Sequence, residues 1–175
     1  DLIDPATSTG RKKALLDQVQ ARMGMVPNIF RVMANAPAVL EAYLGFSQAL
    51  NGGTLSADLR ERIALAVAES NGARYCASAH AAIGRTVGLG EEDILDSRRG
   101  TSPDSRIDAI LKFAVKLVNH RAAVHEDDLD RLRDVGVSDG EFAEIIANVA
   151  LNLFTNYFNC VAETEIDFPE LPVLT

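Results

Sequence analysis

The chain has 175 residues, the length of one ordinary domain spanning 1–175, and can bury a core without metals or disulfides. Lys and Arg total 17 against 25 Asp and Glu, a net charge of −8, which repels phosphate backbones and anionic lipid. Nucleic acid and membrane surfaces are therefore not expected partners, and 47% hydrophobic with 24% charged residues excludes a disordered chain.

Helical periodicity recurs along the sequence and strand alternation does not. Met23-Gly24-Met25-Val26-Pro27-Asn28 is apolar but aperiodic, and reads as a loop laid across the core or a neighbouring subunit. Pro37 opens a helix to about Leu50, closed by Asn51-Gly52-Gly53. Ser56 caps a second, which carries Leu59, Ile63 and Val67 and ends at Asn71-Gly72. A third runs from about Arg74 to Thr86 and stops at Gly88; Glu91 to Asp96 follows, then a loop at Arg98 to Ser102.

Ile107, Ile110, Leu111, Ala114, Leu117 and Val118 mark a helix over Asp104 to His120. After a loop from His120 to His125 come Glu126 to Asp134 and a long helix marked by Phe142, Ile145, Ile146, Val149, Leu153 and Tyr157. The expectation is an all-α fold of about seven or eight helices. A shift of 82 positions places Ser56 on Ser138, Ile63 on Ile145, Val67 on Val149, Ala68 on Ala150 and Tyr75 on Tyr157. That echo is a weak sign of a duplicated helical unit.

Two cysteines, Cys76 and Cys160, are too few for a disulfide-stapled scaffold or a four-thiolate zinc site. No run of about 18 apolar residues exists to span a bilayer. The opening Asp1-Leu2-Ile3-Asp4-Pro5 lacks the basic start and apolar stretch of a signal peptide, so the expected compartment is the cytoplasm.

The chemistry concentrates at Asn71-Gly72-Ala73-Arg74-Tyr75-Cys76-Ala77-Ser78-Ala79-His80. Cys76 falls in the first turn of a helix, where free N–H groups and the macrodipole favour a thiolate. His80, four residues on, shares its face and can exchange a proton with it. If the chain folds back near residue 72, Glu61 comes within side-chain reach of His80, because the two offsets from the turn differ by only about 5 Å at 1.5 Å per residue. Nucleophile, base and orienting group are then all present.

Each residue also has a plainer reading. Cys76 can be a small buried hydrophobe, and Glu61 a member of the solvated cluster Arg60-Glu61-Arg62. Cys76 with His80 can be two of four metal ligands, although no metal or other cofactor is expected. His120 and His125 flank a polar loop and read as surface residues; Cys160 reads as buried rather than reactive.

The pattern resembles the carboxymuconolactone decarboxylase superfamily, in particular its alkylhydroperoxidase D-like, peroxidase-related branch. That motif is Glu, eleven residues, Cys, two residues, Cys, three residues, His, and it falls here on Glu61, Ala73, Cys76 and His80. Met23 to Arg31, Ala36 to Leu40 and Asn156 to Pro169 resemble the family's flanking segments, so the likeness covers nearly the whole chain.

The resemblance implies an all-helical fold and a homo-oligomer (dimer, trimer or hexamer). It also implies thiol-dependent reduction of hydrogen peroxide or an alkyl hydroperoxide, with Cys76 as nucleophile, His80 as acid/base and Glu61 as relay. Ala73 replaces the first motif cysteine, so the sulfenic acid on Cys76 would be resolved by an external thiol or dithiol, by another subunit, or by Cys160. Two other functions remain open: a non-redox lyase acting on a small organic acid, as in the decarboxylase branch, and a degenerate oligomeric scaffold that binds a small ligand.

Overall fold

In a computed structural model that describes residues 1–174, the fold is all-α. Its described residues form nine helices and no strand: α1 Gly10–Met23, α2 Asn28–Met33, α3 Pro37–Asn51, α4 Ala57–Ser70, α5 Arg74–Thr86, α6 Glu91–Arg98, α7 Ser105–Asn119, α8 Glu126–Asp134 and α9 Asp139–Ala162. The sequence pattern reveals α3 to α9 and misses α1 and α2. In α1 only Leu15, Leu16 and Val19 are buried, a stripe too narrow to stand out among Lys12, Lys13, Asp17 and Gln18. Gly24 ends α1 in the left-handed region at φ 74°, and Asn28, expected in a loop, already begins the short α2.

Helix α4 lies at the centre, packed on α5, α6, α7 and α9. Its run Ile63-Ala64-Leu65-Ala66-Val67-Ala68 is buried without a polar face, as a helix covered on all sides requires. Ser56 occupies its N-cap with extended backbone, but the side chain makes no capping hydrogen bond, contrary to the sequence reading. Ile63 and Val67 join Ile110 and Leu111 of α7 and Ile145 and Val149 of α9 in one cluster, where each large aliphatic side chain contributes about 1.5–3 kcal/mol. A second cluster gathers Leu16, Val19, Phe30, Met33, Leu40 and Leu44 against Tyr75 and Cys76 at the start of α5.

The 82-residue echo corresponds to one helix rather than to a repeated unit. Ser56 and Ser138 both occupy N-caps, and Ile63 and Ile145 are both fully buried. Ala68 is buried while Ala150 is exposed, and α4 stops at Ser70 where α9 runs on to Ala162. The 24 residues of α9 make it long and apolar enough, by length and composition, to cross a membrane. Here its inner face packs on α3, α4, α5 and α7.

Two glycines shape the connections that position the site. Gly72 adopts φ 63° between α4 and α5, turning the chain so that the two helices run back along each other. Gly53 lies against Glu144 of α9, whose carboxylate accepts from the Thr54 and Leu55 backbone N–H groups; a β-carbon at Gly53 would collide with that carboxylate.

Candidate functional site

The turn at Gly72 pairs α4 with α5 and brings Glu61 to His80. Glu61 Oε2 lies 2.7 Å from His80 Nδ1, both side chains being largely buried. A carboxylate on Nδ1 fixes the imidazole tautomer that leaves Nε2 as the free base. The charge cluster at 60–62 is therefore not simply solvated. Arg62 is buried and bonds Asp93 of α6 at 2.7 Å, while Glu61 turns to His80.

Cys76 is the third residue of α5 and is 3% exposed. Its thiol is pushed up to about 11 from an ordinary 9.0, chiefly by burial; Asn159 and Thr155 oppose this by hydrogen bonding, and Cys160 adds to it as a like charge. The lowered value expected from the helix N-terminus is thus overturned. Desolvation disfavours the thiolate more than the helix end favours it, and no Lys or Arg lines the cavity around the sulfur.

That cavity, of about 50 Å³, brings Cys76, Ala79 and His80 of α5 together with Tyr43, Tyr75, Thr155, Asn159 and Phe168. Asn159 Nδ2 donates to Cys76 Sγ at 3.1 Å. Burial pushes the Tyr43 hydroxyl up to about 12, with smaller contributions from Glu61 and Cys76, so it stays a neutral donor. Burial likewise raises Tyr75, whose hydroxyl donates to Asp167 at 2.8 Å and accepts from the Ile29 N–H. Asp167 also accepts from the Asn28 N–H at 2.8 Å, and Phe168 meets the Tyr75 ring edge-on at 5.8 Å. These bonds strap the C-terminal segment across the starts of α2 and α5, and the strap forms one wall of the cavity.

A larger cavity of about 450 Å³ adjoins the first and shares Met23, Phe30, Tyr43, His80, Ile83 and Thr155 with it. Glu61, Ser47, Arg60, Asn148 and Asn152 line this second chamber, and Cys76 does not. The segment read as a loop over the core borders both cavities: Met23 touches both chambers and Pro27 the smaller one.

Ala73 is the buried N-cap of α5 and faces neither chamber. It lines a separate cavity of about 230 Å³ with Glu69, Arg98, Leu171 and Pro172. Cys160, read as buried and beyond the long helix, is exposed and inside α9. The helix continues past Tyr157 because its inner face stays packed, so residue 160 falls on the outer side. His120 and His125 are exposed, as expected. Among the described residues, no group of three or more His, Cys, Asp or Glu is placed to hold a metal ion.

Sequence reasoning misses Asn159, Thr155, Tyr43 and Tyr75. Asn159 is 83 positions from Cys76, beyond any local pattern. One signal could have pointed to it: Asn148, Asn152, Thr155, Asn156 and Asn159 recur at helical spacing along an otherwise apolar helix, and all five are buried.

The carboxymuconolactone decarboxylase family model matches residues 37–120, the span that holds Glu61, Ala73, Cys76 and His80. The alkylhydroperoxidase AhpD core of a peroxidase-related protein from Ralstonia eutropha JMP134 superposes with a TM-score of 0.86 at 26% identity, over 95% of this chain and 90% of that one. A peroxidase-related protein from Silicibacter sp. TM1040 gives 0.80 at 26% identity, over 87% and 83%. The debrominase Bmp8, as a cysteine-to-alanine variant in complex with 2,3,4-tribromopyrrole, shares the fold with a TM-score of 0.78 at 21% identity, over 95% and 94%. No curated protein matches the chain.

Proposed function

We propose that the chain is a thiol-dependent peroxidase of the carboxymuconolactone decarboxylase superfamily, in its alkylhydroperoxidase D-like branch, with Cys76 as nucleophile. The observation that carries this reading is a buried thiol sharing a cavity with a histidine already held by a carboxylate.

With its pKa near 11 the thiol is protonated at neutral pH, so the proton leaves as the sulfur attacks. His80, oriented by Glu61, is the base that takes it, as in other nucleophile, base and orienter sets. The sulfur bonds the terminal oxygen of the hydroperoxide, the O–O bond breaks, and the departing alkoxide receives the proton from His80. Sulfur is oxidised by two electrons to a sulfenic acid and the peroxide is reduced to an alcohol, or to water from hydrogen peroxide. A first external thiol then condenses with the sulfenic acid, releasing water and leaving a mixed disulfide. A second thiol displaces it, restoring Cys76. With Ala73 in place of the first motif cysteine, the external thiol supplies both equivalents.

The test is mass spectrometry after a brief peroxide pulse in the presence of a sulfenic-acid trap, together with peroxide consumption under excess small thiol. Label on Cys76 is expected, with consumption at background in Cys76→Ser and lowered about 10²-fold in His80→Ala. A Cys76–Cys160 disulfide would make Cys160 the resolving thiol. An unlabelled Cys76 with no peroxide consumed would end the proposal. The brominated pyrrole bound by the debrominase variant belongs in the same panel as an alternative substrate.

One observation favours a second reading, a non-redox lyase acting on a small organic acid. Glu61 and His80 also line the larger chamber, which Cys76 does not reach. Turnover of a lactone or β-keto acid that survives Cys76→Ser but not His80→Ala would select it. The homo-oligomer is part of the first proposal, supported by Ile146, Phe154, Tyr157 and Val161 exposed along α9 and by Phe46 on α3. A monomeric mass in light scattering would remove it.

A further inference from the structure

Asn159 makes one side-chain contact of chemical interest and leaves another open. It is 3% exposed, its Nδ2 donates to the Cys76 sulfur at 3.1 Å, and its Oδ1 is buried with no hydrogen-bond partner. Thr155, one helical turn earlier on α9, also reaches the sulfur; its hydroxyl donates to the Asn152 carbonyl at 3.0 Å. Buried amide oxygens are rarely left unpaired, and one on an amide already bonded to the sulfur signals an incoming donor. The shared cavity, about 50 Å³, has room for the peroxidic end of a substrate.

We propose that Asn159 is a catalytic residue of the Cys76 site: its Nδ2 holds the charge that develops on sulfur, and its Oδ1 accepts the O–H of the hydroperoxide and then of the sulfenic acid. This rests on Cys76 being the peroxidase nucleophile. When Sγ bonds the terminal oxygen and the O–O bond breaks, the hydrogen on that oxygen stays with it. The hydroxyl of the sulfenic acid therefore forms where Asn159 Oδ1 can take its hydrogen bond. The amide holds the charge-bearing atom before the reaction and the product hydroxyl after it, without moving. No Lys or Arg lines the cavity, so a neutral amide donor is what α9 offers the sulfur.

The test uses two variants: Asn159→Leu, which removes donor and acceptor at similar volume, and Asn159→Asp, which keeps an acceptor and puts an anion by the sulfur. Cys76 alkylation by iodoacetamide, read on its own peptide by mass spectrometry, is followed against pH. The other titratable groups that bear on the sulfur, His80, Tyr43, Tyr75 and Cys160, are unchanged in both variants. Asn159→Leu is expected to move the profile up by about one pH unit, so that alkylation at pH 8 slows about tenfold, and Asn159→Asp to move it further. The sulfenic acid, followed by adding the trap at increasing delays after the peroxide pulse, should be shorter-lived in Asn159→Leu than in Asn159→Asp. Profiles that superimpose on the parent, with thermal unfolding unchanged in either variant, would overturn the proposal. A shifted profile in a protein that consumes no peroxide would instead remove the peroxidase reading, while supporting the donation from Asn159 to the sulfur.

Discussion

Ala73 and Cys76 stand three residues apart at the start of α5, both buried, and open onto different chambers. The Cys76 chamber is small, with His80 beside the thiol, no Lys, Arg, Asp or Glu in its lining, and an amide aimed at the sulfur. The Ala73 chamber is more than four times larger and charged: Arg98 is fixed there by Glu69 at 2.8 Å and by the Pro172 carbonyl at 2.8 Å. An imidazole and an amide thus gather around Cys76 alone. Position 73 retains space without chemistry. Ala73 therefore stands apart from the groups that meet the Cys76 sulfur.

The sharpest way to break this contrast is Ala73→Cys. Residues three apart at a helix start have β-carbons about 5–6 Å from each other, and a disulfide needs roughly 4 Å. Ala73 is an N-cap outside the helical region, and the adjoining Gly72 can adjust to close the gap. The 230 Å³ cavity leaves room for the added sulfur. In the variant, a disulfide between the introduced thiol and Cys76 is expected after one equivalent of peroxide, with dithiol-driven turnover raised about tenfold or more over the parent. Peptide mapping of the parent under the same treatment is the control, and it reads any disulfide that Cys76 forms with Cys160. A variant with neither the disulfide nor the gain would mean that position 73 cannot resolve Cys76, and would favour a scaffold with a degenerate site.

The same contrast explains what could be read from the sequence. Glu61, Cys76 and His80 are legible because helix spacing and one turn determine their meeting, and both are local properties of residues 57–86. The helix pattern reveals α3 to α9 for the same reason. What stays hidden is whatever crosses the fold. Asn159 reaches Cys76 across 83 positions, and Asp167 reaches Tyr75 across 92. Depth is hidden too: a cysteine near a helix N-terminus reads as an acidified thiol until α9 and the C-terminal strap are seen to exclude water from it. In α1 the buried stripe is too thin for periodicity to register, although Leu16 and Val19 lie deep in the core.

A smaller effect tests the burial of Cys76 directly, through stability rather than activity. In the unfolded chain its thiol titrates near 9.0, and in the folded protein near 11. Between those values the unfolded state has lost a proton that the folded state keeps, so stability is fully present below about pH 9 and falls as pH rises towards 11. Each pKa unit corresponds to about 1.4 kcal/mol, so the loss on reaching pH 11 is on the order of 2 kcal/mol. Tyr43 acts in the same direction about one pH unit later, between 10.0 and about 12. Urea midpoints of the parent and of Cys76→Ala, compared at pH 8 and pH 10.5, isolate the cysteine from the tyrosine. The parent should lose more stability than the variant over that interval. Parallel losses would mean that water reaches the sulfur, and that the small chamber is open rather than closed around its thiol.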